Sequence, residues 1–258
     1  MIKFRSARLA RILVLGLGVC LASGASRALD LTGFSEDLPP FAYLDSDKHR
    51  GLANEVLDRI SQRTGLGIKR VNMPWVRALR EAQAEPNSLL YVTVRTPERE
   101  PQFLWVGPLD KCDIVLMKLR RRAELKFDPG QAAAPLQIGV GRGSPSAQLL
   151  RDAGVPETVI YQTPRSEIGV RMLFAERLDM LAGLLLPSLF QVQRHGFDPA
   201  ELQAFHLLKP GYGCYFAFNP KVDAQLLTQF RKGFDELQSS GELQALREQY
   251  LRNPEQTR

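Results

Sequence analysis

Residues 89–109 read Leu89-Leu90-Tyr91-Val92-Thr93-Val94, then Arg95-Thr96-Pro97-Glu98-Arg99-Glu100, then Pro101-Gln102-Phe103-Leu104-Trp105-Val106-Gly107-Pro108-Leu109. The first six residues are a short, nearly unbroken apolar run, the pattern of a strand buried on both faces. Charge begins abruptly at Arg95. On the N-terminal side, Pro74 opens a helix predicted over Trp75–Ala84. On the C-terminal side, residues 114–117 read as a further strand. Short apolar runs alternating with amphipathic stretches indicate an α/β protein.

The same reading extends in both directions. Leu52, Val56 and Ile60 recur at helical spacing, and Gly65 ends a helix over Leu52–Thr64. Further strands are predicted at 136–140, 180–186 and 215–218. Further helices are predicted at Ser146–Asp152, 166–176 with Ser166 as N-cap, 187–194, 224–238 and Glu242–Leu251. A composition shift over 118–135, from the basic run 118–122 into the loop 129–135, marks a crossing between two lobes. Lys209-Pro210-Gly211-Tyr212-Gly213 marks a return. Two crossings insert the second lobe into the first, giving lobe 1 at 29–117 and 211–258 and lobe 2 at 118–210. A cleft between such lobes favours a small-molecule site, and hinge closure over it is the expected motion.

The formal charge of +6 is unevenly placed. Residues 1–28 hold Lys3, Arg5, Arg8, Arg11 and Arg27 and no acid. The remaining 29 Lys+Arg against 28 Asp+Glu leave +1, so no nucleic-acid partner is expected. A basic start, the apolar run 12–22 and the small residues Ser26 and Ala28 form a secretory signal, with cleavage expected after Ala28 and a periplasmic mature protein. Val19 before Cys20 argues against a lipoprotein. Cys112 and Cys214 then remain in an oxidising compartment, where two cysteines can pair. His49, His195 and His206 lack metal-ligand spacing, Gly139-x-Gly141-x-Gly143 lacks nucleotide-loop spacing, and Gly143-Ser144-Pro145 is not a nucleophile elbow, so neither metal nor cofactor is expected.

Five stretches in order resemble the family 3 extracellular solute-binding proteins, the periplasmic receptors of polar amino-acid ABC importers. They are Leu38-Pro39-Pro40-Phe41-Ala42-Tyr43 with Gly51 and the following helix; Thr96-Pro97-Glu98-Arg99 with the aromatic run to Pro108; residues 138–144; Leu178-Asp179; and 211–219 with the two terminal helices. The resemblance implies a two-lobed, type II periplasmic-binding-protein-like fold, a monomer, a small polar ligand, anionic or amino-acid-like, held in the cleft between the lobes, and an ABC permease as partner. It makes Arg99 the clamp for a ligand carboxylate; the plainer reading pairs it on the surface with Glu98 or Glu100. Arg95 is a candidate second cation. Ser144 is a candidate anion contact or a turn residue, Trp75 a stacking surface or core residue, and Phe41 and Tyr43 candidate covers over the ligand. Two positions depart from the family pattern: Val94 stands where a Ser or Thr helps hold the carboxylate, and Leu184 where an acid holds the ammonium. In the resembling fold the connections carrying Cys112 and Cys214 run side by side, which makes them a candidate disulfide. A dehydratase-like enzyme on the same fold, with Glu98 and Arg99 as acid and clamp, and a periplasmic sensor module are the alternatives.

Overall fold

The computed structural model describes residues 31–131 and 136–251. The signal segment expected over 1–28, its cleavage site and Cys20 lie outside the described residues. In chain order the elements are β1 (Leu31–Ser35), β2 (Tyr43–Asp45), β3 (Lys48–Arg50), α1 (Leu52–Thr64), β4 (Ile68–Asn72), α2 (Trp75–Ala84), β5 (Ser88–Val94), β6 (Leu104–Lys111), β7 (Ile114–Leu119), β8 (Ile138–Gly141), α3 (Ser146–Asp152), β9 (Ile160–Thr163), α4 (Ser166–Phe174), β10 (Met180–Gly183), α5 (Leu185–Arg194), β11 (Leu202–Lys209), β12 (Gly213–Phe218), α6 (Ala224–Ser239) and α7 (Glu242–Leu251). No helix among them is long and apolar enough to cross a membrane.

β5, the apolar run at 89–94, is the middle strand of a sheet ordered β4-β1-β5-β12-β6. All seven of its residues are buried. The reason is a core on each face. Leu89, Tyr91, Phe216 and Phe218 pack with α1, α6 and α7 through Leu57, Ile60, Phe230 and Phe234. The alternate residues Leu90 and Ala217 pack with Phe34, Trp75, Ala78 and Phe103 under α2. A strand covered on both sides has no solvent face, so its sequence does not alternate.

The second sheet is ordered β11-β7-β10-β8-β9. Its faces are covered by α3, through Leu150 against Ile138, Val140 and Met180, and by α4 and α5, through Val170, Leu173 and Val192 against Met117 and Leu181. The chain passes from β6 to β7 at Cys112-Asp113 and returns between Lys209 and Gly213. The outward crossing therefore falls before the expected 117/118 boundary, which cuts through β7. The basic run 118–122 starts inside β7 and continues past its end, where Arg120 and Arg121 are exposed. Lys118 is buried in β7, its stem packed and its ammonium donating to the carbonyls of Leu125 (2.6 Å) and Ala123 (3.3 Å). Arg121 pairs with Glu176 and Glu201, and Arg122 with Glu124 and Asp179.

Cys112 and Cys214 are joined in a disulfide across the two crossings, with Cα atoms 5.5 Å apart and a sequence separation of 102. Their neighbours hold the same register: Gly213 faces Lys111, and the Cys112 amide donates to the Tyr212 carbonyl (2.7 Å).

The Pro-Pro-Phe turn has a structural reason. The first amides of α1, on Leu52 and Ala53, have no partner within the helix and donate to the carbonyls of Pro40 (2.9 Å) and Phe41 (2.8 Å). Gly51 sits between them at φ 103°, where a Cβ would lie 2.5 Å from the Pro40 oxygen. Only glycine fits that close approach.

Other expectations shift locally. The strand expected over 180–186 ends at Gly183, and α5 begins at Leu185, before Pro187. Pro187 occupies the first turn, where a missing N–H breaks no helical bond. Ser166 is the first helical residue of α4; Arg165 holds the cap position, without a side-chain cap. β1, β4, β6, β9 and β11 were not anticipated: β1 carries Gly33, β6 carries Pro108, and β4, β6, β9 and β11 lie at sheet edges or alternate weakly.

Candidate functional site

β1, β4 and β5 run parallel in the first sheet, and β8, β9 and β10 run parallel in the second. Segments following the carboxyl ends of such strands form the usual crevice of an open α/β sheet. Here they meet from two sheets around a cavity of about 110 Å³. β1 delivers Glu36, the segment after β4 delivers Trp75, and β5 delivers Val94 and, beyond it, Arg99. From the other sheet β8 delivers Arg142, Ser144 and Ser146, β9 delivers Arg165, and β10 delivers Leu184. The wall between is apolar, formed by Val92, Val94, Ile114, Leu181 and Leu184.

Arg99 is 9% exposed. Its Nη1 donates to the Thr93 hydroxyl and the Val94 carbonyl (3.1 Å each), and its Nη2 to the Gly143 carbonyl (2.8 Å). A guanidinium has five N–H donors, so two remain. Burial lowers its pKa to about 10, and it stays cationic at neutral pH. The guanidinium lies 5.1 Å from the centre of the Trp75 ring, a cation–π arrangement. Trp75 Nε1 also donates to the Gly143 carbonyl (3.1 Å). Gly143 belongs to the second lobe, so one of its carbonyls receives two donors from the first. Arg194 on α5 adds a further bridge, to Asp37 (2.8 Å). The two lobes are thus held together over the cavity.

Among the described residues, Glu36 is the one acid in the cavity wall. Its burial, with the nearby Asp37 charge, raises its pKa to about 7, against an opposing pull from Arg99. A carboxyl whose folded pKa is raised loses stability as pH climbs from its ordinary value through the raised one. Unfolding free energies of the parent and Glu36→Gln should therefore coincide below about pH 4.5 and separate through pH 7. The variant should be the more stable by about 3 kcal/mol at pH 8. Parallel curves over that range would show that Glu36 ionises without cost.

Residues 31–253 match the family described as bacterial extracellular solute-binding proteins, family 3. The chain belongs to that family. No curated protein sequence matches it. Among solved structures, a histidine kinase sensor domain similar to periplasmic binding proteins superposes with TM-score 0.74 at 18% identity, covering 86% of this chain and 96% of that one. An ancestral arginine-binding protein bound to arginine gives 0.74 at 18%, covering 87% and 99%. The arginine-, lysine-, histidine-binding protein ArtJ from Geobacillus stearothermophilus gives 0.74 at 14%, covering 87% and 95%. The fold is that of the two-lobed periplasmic binding proteins.

Within this family 3 solute-binding protein, the expected site residues separate into two groups. Arg99, Trp75 and Ser144 all line the cavity, as do Val94 and Leu184 at the two departures from the family pattern. Arg99 pairs with neither Glu98 nor Glu100. Arg95, Phe41 and Tyr43 are not in the wall. Arg95 is ion-paired with Glu100 (2.5 Å) and lies over the rings of Trp105 and Tyr215. Phe41 is 2% exposed in the core beneath α1, placed there by the turn that caps that helix. Tyr43 lies in the β2–β3 hairpin. Glu98, the acid an enzymatic reading needs, is exposed and outside the cavity wall. Sequence reasoning missed Glu36, Arg142, Ser146 and Arg165. Recognising β1 and β9 as parallel strands would have marked Glu36 and Arg165 as residues just past their carboxyl ends.

Proposed function

We propose that this chain is a periplasmic binding protein that closes its two lobes over a small anionic ligand and delivers it to an ABC permease. One observation carries this reading. Among the described residues, the lining of the cavity between the lobes includes three arginines, buried Arg99 and the exposed Arg142 and Arg165, and one acid, Glu36, whose ionisation burial suppresses. A cleft with that balance attracts an anion. The apolar side chains of Val94 and Leu184 supply neither a hydroxyl for a carboxylate nor an acid for an ammonium, which disfavours an α-amino acid held in the usual way, since a buried unpaired ammonium is costly. Binding energy shifts the open–closed equilibrium, and the closed form is what a permease would recognise.

The protein recovered from the periplasm should begin at Leu29 and act as a monomer. In a thermal-shift screen of that material, small carboxylates should stabilise it, by about 2.7 kcal/mol at 100 times the dissociation constant. Stabilisation by amines or by lysine and arginine, with no response to carboxylates, would overturn the anion reading. The likeness to a histidine kinase sensor domain supports a second reading, in which the same closure signals to a membrane receptor. A permease and ATPase encoded beside the gene, rather than a sensor kinase, would separate the two.

A further inference from the structure

The two lobes also meet outside the cavity. Asp37 follows β1 in the first lobe, and Arg194 ends α5 in the second. Arg194 Nη1 donates to Asp37 Oδ2 (2.8 Å) across 157 positions of sequence. Neither residue lines the cavity. Neither side chain has another hydrogen-bond or ion-pair partner among the described residues. Asp37 Oδ1 is buried and unpartnered, so this carboxylate depends on Arg194 alone. Burial raises the pKa of the Tyr43 phenol, and the charges of Asp45, Arg50, Arg194 and Asp37 all reach the same hydroxyl. The β2–β3 hairpin therefore flanks the bridge. α5 connects the bridge to the cavity. Leu184 at its N-cap, Pro187 and Ser188 line the cavity, and Arg194 stands at its other end. Ten helical residues span about 15 Å. Val192 packs α5 against Met117 and Leu181 of its own sheet, so the helix moves with the second lobe. The carbonyl end of a helix favours a cation, which suits Arg194 to that position.

We propose that Asp37 and Arg194 form a closure latch, an ion pair made when the lobes shut and broken when they part, which favours the closed form by the same factor whatever occupies the cavity. The latch rests on lobe closure as read above, and not on the charge of the ligand. A ligand that draws the start of α5 toward the first lobe brings Arg194 to Asp37 at the far end of the same helix. The pair thus sets affinity without entering into specificity. Arg194 and Asp37 keep 49% and 33% of their side chains exposed. A pair so exposed shifts an equilibrium by about two- to fivefold, weak enough for the lobes to reopen.

The test follows closure in the ligand-free mature chain. Trp75 is 8% exposed and its Nε1 donates to Gly143 of the second lobe, so parting the lobes uncovers it. Acrylamide quenching of its fluorescence, in a Trp105→Phe background, therefore follows the open fraction. Asp37→Asn, Arg194→Gln, the double variant and the exchanged pair Asp37→Arg, Arg194→Asp are compared with the parent at about 20 mM and about 500 mM salt. The two single variants and the double variant should raise the open-to-closed ratio by the same factor, about two- to fivefold. The exchanged pair should restore it, and high salt should bring the parent to the variants. Calorimetry with acetate, lactate and succinate as probes should show every probe that binds weakened by that one factor. Quenching that is unchanged across the variants, a double variant equal to the sum of the singles, an exchanged pair that stays open, or a factor that differs between probes overturns the latch. No response to any probe overturns the anion reading alone, because the quenching comparison needs no ligand.

Discussion

Replacing Cys112 and Cys214 together by alanine should lower the unfolding free energy of the oxidised protein by about 2–5 kcal/mol. The disulfide closes a loop of 102 residues that contains the whole second sheet. In the chain-entropy model a loop of that length contributes about 4.7 kcal/mol through restriction of the unfolded chain. Alanine is the informative replacement because both positions are almost fully buried and a serine hydroxyl there would add its own desolvation cost. Urea unfolding of the variant should show a lower midpoint, and reduced parent protein should approach it. The bond joins the two connections side by side at the point where the chain changes sheets, so it constrains the hinge without tying the lobes' facing surfaces. Carboxylate affinity should accordingly change less than stability does. A midpoint unchanged from the parent would show that the unfolded chain gains little freedom when the bridge is lost.

Arg99→Ala should weaken binding of any carboxylate ligand by about 3 kcal/mol or more, roughly a hundredfold. Three losses coincide. The ligand loses its first-lobe cation. The Gly143 carbonyl loses one of the two donors that hold the lobes closed, and the Trp75 ring loses the cation at its face. Arg99→Lys should recover only part, because an ammonium on a flexible stem does not reproduce a planar fork bonded to acceptors in both lobes. Arg95→Ala is the matched control. Arg95 lies four residues away with the same charge, but Glu100 and two ring faces hold it outside the cavity, so its removal should leave affinity within about twofold. Equal losses from the two alanine variants, measured by calorimetry, would remove Arg99 from its special role.

That pair shows where reading the chain succeeds and where it stops. The strand at 89–94, the helices at Leu52–Thr64, Trp75–Ala84 and Glu242–Leu251, and the turn-glycine-helix unit at 38–64 were legible because their causes are local. They follow from apolar periodicity, a proline that can start a helix, and a glycine where carbonyls approach too closely for a Cβ. The basic run 118–122 did not mark the crossing, which falls earlier at Cys112-Asp113, because its charges are placed by the second sheet. The neutralising partners Glu176, Asp179 and Glu201 come from more than 50 residues away.

The sequence by itself determined the α/β class, the principal buried strand and the turn-glycine-helix unit that follows the first strand. Each of these depends on spacing within a short stretch of chain. Only the tertiary structure decided which of Arg95 and Arg99 turns inward, that Phe41 belongs to the core, and that Glu36, Arg142, Ser146 and Arg165 share one cavity. Those residues come from three segments spread over some 130 positions. They meet because the parallel strands of two separate sheets point their carboxyl ends at the same gap, and nothing in the local pattern of any one segment encodes the closure of that gap.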